Sequence, residues 1–186
     1  MGLLPPPSSS EEESMAIPIE ESSDILNIIL HSIYDMSCSH YTPPFHTLVA
    51  AVERMEHYGL QPRTFITPAR PLFGILLAQA PLYPVDLYAV AGKYELEDLA
   101  VMTSSHLLSM PLASLSDHMC RRIGPIYLKR LFFLHFGRCE ALKRVLLAPP
   151  HPHPPTATCD FTEQKRLTRA WALAAAYLAW EARPGV

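Results

Sequence analysis

Nineteen prolines against seven glycines are what most limit how this 186-residue chain can fold. Proline fixes φ and lacks the N–H that a helix interior or a central strand needs, so it is confined to first helical turns, loops and edges. Pro44, Pro71, Pro84, Pro111, Pro125 and Pro184 bracket apolar runs of helical length. No stretch of useful length alternates apolar and polar residues as a half-buried strand does. The pattern predicts a mostly α, multi-helix protein of short helices started and stopped by proline. At most a short strand remnant is expected near residues 17–19.

The most informative run is Glu21–Leu60. Ser22 or Ser23 caps a helix reaching about Tyr34, with Asp24 near its positive end. Ile25, Ile28, Ile29 and Ile33 recur at helical spacing, and Leu26 and Leu30 widen the stripe. Pro43 and Pro44 open a second helix over about 44–58, with Leu48, Val52 and Met55 as its apolar face, Ala51 allowing close approach, and Gly59 placed for a left-handed cap. Residues 60–70 read as a connector. Further helices are expected over about 71–79, 84–93, 96–108, from Ser114 or Ser116 to Arg122, and over 125–147. Pro149–Pro155 reads as a stiff extended linker, and Asp160 with Glu163 as a capping box for a last helix over about 161–182. Tyr58-x-Leu60 and Tyr94-x-Leu96 form a faint internal echo, which fits two helical hairpins closed by the same device.

Composition bounds the partners. The chain is 49% hydrophobic and only 18% charged, which leaves apolar surface for a partner to cover. Residues before 117 hold 13 acidic and four basic side chains, and those from 117 onward hold five and eleven. Either a C-terminal surface meets an acidic partner, or the two halves complement each other within one fold. No aromatic-basic motif or zinc-finger spacing accompanies the charge, so nucleic acid is not the expected partner. The start MGLLPPP lacks a secretory signal, and Trp171–Trp180 is too short to cross a bilayer. Cys38, Cys120, Cys139 and Cys159 show no close pairing and read as reduced thiols. The expectation is an intracellular protein, cytoplasmic or nuclear, with no membrane span.

Catalytic motifs are missing. There is no Gly-x-Ser-x-Gly elbow, P-loop, dinucleotide-binding glycine pattern or His-Glu-x-x-His, and Gly92-Lys93 lacks the residues that would cradle phosphate. The chain is therefore read as a non-enzyme with no catalytic, cofactor or metal residues, no cofactor and no small-molecule substrate. One metal alternative is concrete. His135 and Cys139 share a helix face, and His151, His153 and Cys159 in the linker could fold back to complete a tetrahedral set. The simpler reading is a partly buried His and Cys beside a solvated linker. Cys38, His40 and His46 form a looser cluster. Arg121, Arg122, Lys129, Arg130, Arg138, Lys143 and Arg144 do not line one stripe and read mostly as a solvated face. Trp171, Tyr177 and Trp180 could anchor a partner, but the expectation is core packing with Leu167, Ala174 and Leu178.

Several stretches together resemble a known family. Ile17-Pro18-Ile19-Glu20 is similar to the end of a strand, SSDILNIILHSIYD to a helix ending in an Ile-Tyr pair, TLVAAVERMEHYGL to the next helix, and PLFGILLAQAP to the last helix of a BTB (POZ) domain, in the form common among fungal proteins. YPVDLYAVAGKYELEDLAVMTSSHLLS resembles the BACK-type helical extension, and the likeness runs on through GPIYLKRLFFLHFGR, covering about residues 17–147. It implies the second half of a BTB domain over 17–80 and a BACK-like extension over 81–147; composition adds a disordered leader over 1–16, a Pro/His-rich linker over 148–159 and a C-terminal helix over 160–186. The hairpin and helices that open a BTB domain are expected before Ile17 and are not in this sequence, so the domain is expected to be incomplete. The implied function is protein–protein interaction through apolar helix faces, self-association included. An adaptor or regulator role in ubiquitin ligation or transcription is the family analogy, and a metal-stabilised or redox-responsive helical protein, through His135 and Cys139, is the alternative from another class.

Overall fold

The computed structural model describes residues 19–182. The leader expected over 1–16 and all but Ile19 of the expected strand remnant lie outside these residues, and Ile19 is in neither helix nor strand. Among the described residues the protein is helical without strands, and Thr156 and Cys159 make an isolated bridge. The helices are α1 (Ser23–Ile33), α2 (Phe45–Met55), α3 (Pro62–Phe65), α4 (Pro71–Leu77), α5 (Pro84–Lys93), α6 (Glu97–Ser104), α7 (Asp117–Ile123), α8 (Pro125–Leu147) and α9 (Phe161–Glu181).

Local chemistry explains most boundaries. Ser22 accepts the Ile25 N–H at 3.4 Å and Ser116 accepts the Met119 N–H at 3.2 Å, so these serines are the caps of α1 and α7. Proline opens α3, α4, α5 and α8, where its missing N–H costs nothing. Asp160 Oδ1 accepts from both Thr162 N–H (2.8 Å) and Glu163 N–H (2.9 Å). The Glu163 carboxylate turns to Arg166 at 2.8 Å, so the cap works from one side. Two expectations need adjustment. The segment 60–70 contains the short helix α3, and the helix expected over 96–108 is α at Glu97–Ser104 and tightens into a 3₁₀ turn at Ser105–Leu107.

The echo between Tyr58 and Tyr94 proves to be one closure used three times. In Tyr58-Gly59-Leu60 and Tyr94-Glu95-Leu96 the middle residue is left-handed (φ 72° and 57°), and the Leu N–H returns to the carbonyl five residues back at 2.9 Å in both. Tyr34-Asp35-Met36 repeats it, with φ 56° at Asp35 and Met36 N–H on His31 carbonyl at 2.8 Å. This is the Schellman arrangement, which satisfies a carbonyl that the helix end would otherwise leave open. Met in place of Leu hides the third copy from a search for Tyr-x-Leu.

One core runs from Ile28 to Leu131. α1 lays Ile28 and Ile29 on α2, whose Leu48, Ala51, Val52 and Met55 are buried. α5 lies at the centre, with Leu87, Tyr88, Ala89, Val90 and Ala91 all buried and α6 and α7 packed on it. Five consecutive buried residues cover every side of a helix, so α5 is enclosed rather than amphipathic. Tyr88 Oη donates to the Tyr127 carbonyl at 2.9 Å, which ties α5 to α8. Burial pushes the Tyr88 phenol up to about 12, with Arg130 opposing, so the hydroxyl stays a donor. Gly92 makes the crossing possible: a Cβ there would lie 2.4 Å from the Ile123 carbonyl oxygen.

The last part of the chain leaves this core. His135 is the final buried residue of α8, and the helix runs on past Gly137 to Leu147. α9 packs back on this extension. Trp171 Nε1–H donates to the Leu146 carbonyl at 2.9 Å. His153 and Gln164 exchange two hydrogen bonds, at 3.3 and 2.9 Å, across the turn. The result is a helical hairpin standing off the body.

Two substitutions test the closures and the crossing. Gly92→Ala is expected to lower unfolding free energy by about 2 kcal/mol, since backbone must move to admit the methyl. Glu95→Gly is expected to raise it by roughly 0.5–1 kcal/mol by relieving a left-handed non-glycine residue. Urea denaturation of each variant measures both.

Candidate interaction surface

The structure disperses the histidines and cysteines weighed as metal ligands. His135 is 4% exposed and its Nε2 is buried without a partner, while Cys139 is half-buried one turn on. His151 and His153 are exposed, His153 Nδ1 engages the Pro154 carbonyl at 2.7 Å, and the Cys159 N–H donates to Thr156 Oγ1. Cys38 is buried, which pushes its thiol up, His40 meets the Tyr41 ring at 3.8 Å between centroids with the planes tilted by 43°, and His46 is exposed. Among the described residues no three His, Cys, Asp or Glu side chains are placed to hold an ion.

The basic residues are largely occupied by the fold. Arg122 pairs with Asp86 at 3.1 Å, Arg130 with Glu97, and Lys143 with Glu140 at 3.1 Å, while Arg138 donates to the Leu108 carbonyl. Asp86 and Glu97 belong to the acidic half of the sequence, so part of the charge asymmetry is complementarity within one fold. Lys129 Nζ lies 5.8 Å from the Phe133 ring centroid.

The aromatic residues of α9 overturn the core-packing expectation. Tyr177 is 67% and Trp180 69% exposed, Leu167, Trp171, Ala174 and Leu178 are exposed as well, and Ala175 is the helix's buried residue. The physical reason is that, among the described residues, α9 packs mainly on α8, and one main neighbour covers one strip of a helix. Leu173, Tyr177 and Trp180, at i, i+4 and i+7, form a second apolar strip on the side away from Ala175. Sequence periodicity shows an apolar strip but not how many sides of the helix find neighbours.

A second apolar feature lies on α8. Pro125, Leu128, Lys129, Phe132, Phe133 and Phe136 line an open groove of about 360 Å³. Phe133 and Phe136 are 65% and 52% exposed. From Leu131 to Gly137 no residue bears a formal charge, and the same holds from Ala170 to Trp180 on α9. The first hairpin buries Ile28, Ile29, Cys38, Leu48, Ala51, Val52 and Met55 and leaves Leu30, Ile33, Tyr34, Met36, Tyr41 and Tyr58 exposed. Two other hollows are less apolar in character. A cleft of about 290 Å³ between the Tyr58 and Tyr94 closures is lined by Glu56, Arg63, Lys93 and Glu95 among others, and Lys93 there is tied to Glu53 at 3.2 Å. A hollow of about 450 Å³ beside α4 is lined by Ser37, Thr42, Pro71, Ile75 and their neighbours.

His135 gives the fold a pH dependence. Burial pushes its imidazole below the ordinary 6.5, the Leu107 backbone opposes this, and Arg138 pushes further down. The folded state therefore binds fewer protons than the unfolded state as pH drops below 6.5. Stability from this group is complete above that pH and is lost as pH falls through the lowered folded-state value. Thermal melts between pH 7.5 and pH 5 are expected to show a fall that is smaller in His135→Gln.

No protein-family model, curated protein or solved structure matches this chain.

Proposed function

We propose that this chain is a protein-interaction module that acts by surface complementarity, without bond chemistry. The observation that carries this is the paired apolar surface of the α8–α9 hairpin: the Phe132–Phe133–Phe136 groove and the Leu173–Tyr177–Trp180 strip. Aromatic side chains supply large contact area and dominate binding hot spots. Contiguous exposed apolar surface of this kind marks interaction sites in folded proteins. Among the described residues no helix is long and apolar enough to cross a membrane.

The likeness of residues 17–147 to the second half of a BTB domain with a BACK-like extension points in the same direction. It rests on sequence alone, and an adaptor role in ubiquitin ligation or transcription rests on that likeness in turn. An intracellular partner and the lack of a small-molecule substrate belong to the same proposal.

The test uses Phe136→Glu with Leu173→Glu in the full chain. Both positions are exposed, so helix content by circular dichroism is expected to be unchanged. Protein that co-purifies with the tagged wild-type chain from cells, or the chain's own second copy, is expected to drop at least ~10-fold, the effect of losing about 1.4 kcal/mol of contact. Unchanged co-purification with an intact fold overturns the assignment of this surface.

A further inference from the structure

The groove on α8 and the strip on α9 are two halves of one contact, and we propose that a second copy of this chain supplies the missing half. The proposal rests on the interaction-module reading and names its partner.

The shape comes first. Leu128 and Leu146 stand about five turns apart on α8 and so share a face. Trp171 of α9 is bonded over Leu146, so the groove around Leu128 continues the seat on which α9 rests. From Trp171 to the end of α9 at Glu181 the helix advances ~15 Å, which carries it from the level of Leu146 to about the level of Phe136. There α9 ends, and among the described residues none lies over the seat as it goes on to Pro125. The hairpin is thus a step: one helix deep along the groove and two helices deep along α9.

Two such steps related by a two-fold axis close on each other as a lap joint. The α9 of each copy lies on its own α8 by one side and enters the partner's open seat by the other. The side it presents carries Leu173, Tyr177 and Trp180. The Ala residues at 170, 172, 174, 176 and 179 let its backbone come close. Every copy offers both groove and strip, so the contact is self-complementary and closes as a dimer rather than growing into a filament.

Charge favours this occupant over an acidic peptide. Among the described residues the hairpin's positive side chains without an ion pair are Arg138, which is turned to the Leu108 carbonyl, and Arg144, Lys165 and Arg169, which lie towards the turn, away from the groove. At the groove Arg130 is held by Glu97 and Lys129 by the Phe133 ring. The seat therefore asks for a neutral apolar surface, and Ala170–Trp180 is one. Area agrees. With ~200 Å² per aromatic side chain, the exposures of Phe132, Phe133, Phe136, Tyr177 and Trp180 amount to roughly 600 Å², to which exposed Leu173 adds. A stable interface buries about 800 Å² on each partner.

Sedimentation equilibrium on the full chain decides. The wild type is expected to dimerise with a dissociation constant at or below ~10 µM, and Phe133→Glu and Tyr177→Lys each to weaken it at least ~100-fold with helix content unchanged. Mixing the two variants is expected to restore a heterodimer: one joint is wild-type on both sides and the other sets Glu against Lys. Misfolded variants cannot give that rescue. A wild type that is monomeric at ~100 µM overturns the proposal, as does a dimer indifferent to both substitutions, or two monomeric variants that stay apart on mixing. A monomeric wild type that keeps a cellular partner dependent on Phe136 and Leu173 overturns the dimer and leaves the interaction module standing. If it keeps none, both fall.

Discussion

Everything in the body is arranged around the enclosure of α5. A helix whose Leu87–Ala91 segment is buried on every side needs neighbours on every side, and the rest of the chain supplies them in sequence order. The contact that sets the spacing is backbone on backbone, where Gly92 meets the Ile123 carbonyl. Because α7 ends at Ile123 and α8 starts at Pro125, that crossing also fixes where the longest helix begins and which way it points. Tyr88 then locks it through the Tyr127 carbonyl. Packing, not intrinsic propensity, is what holds so many short helices, since a helix of seven to eleven residues is marginal in isolation.

The same logic explains why the hairpin is different. Elements ahead of His135 are held from several directions, whereas among the described residues α9 is held mainly against α8, by Trp171, Gln164 and a strip around Ala175. An apolar helix held on one side keeps its other apolar side in water, at a cost of about 25 cal/mol per Å² until something covers it. The aromatic residues are thus concentrated where the intramolecular packing runs out.

Much of this was legible in the sequence. Proline at Pro71, Pro84 and Pro125, serine at Ser22 and Ser116, and glycine at Gly59 act over one or two turns, so their meaning is local and readable. The helical class follows from them. What could not be read is long-range. Nothing around Trp171 or Tyr177 distinguishes a helix with several neighbours from one with a single neighbour. Likewise the groove along Pro125–Phe136 appears only once the end of α9 is placed against α8. The sequence marks the closure at Glu95 only through the Tyr-x-Leu echo with Gly59, and it hides the one at Asp35 because Met36 stands in place of the Leu.

Gly137 stands where α8 parts from the body, two residues after its last buried side chain and with open space around it. A helix bends most readily where it lacks a side chain to pack, and glycine is the residue that resists bending least. Next to it Arg138 reaches across to the Leu108 carbonyl beyond α6. Just past the glycine, therefore, Arg138 is a described side chain that ties the arm back to the body.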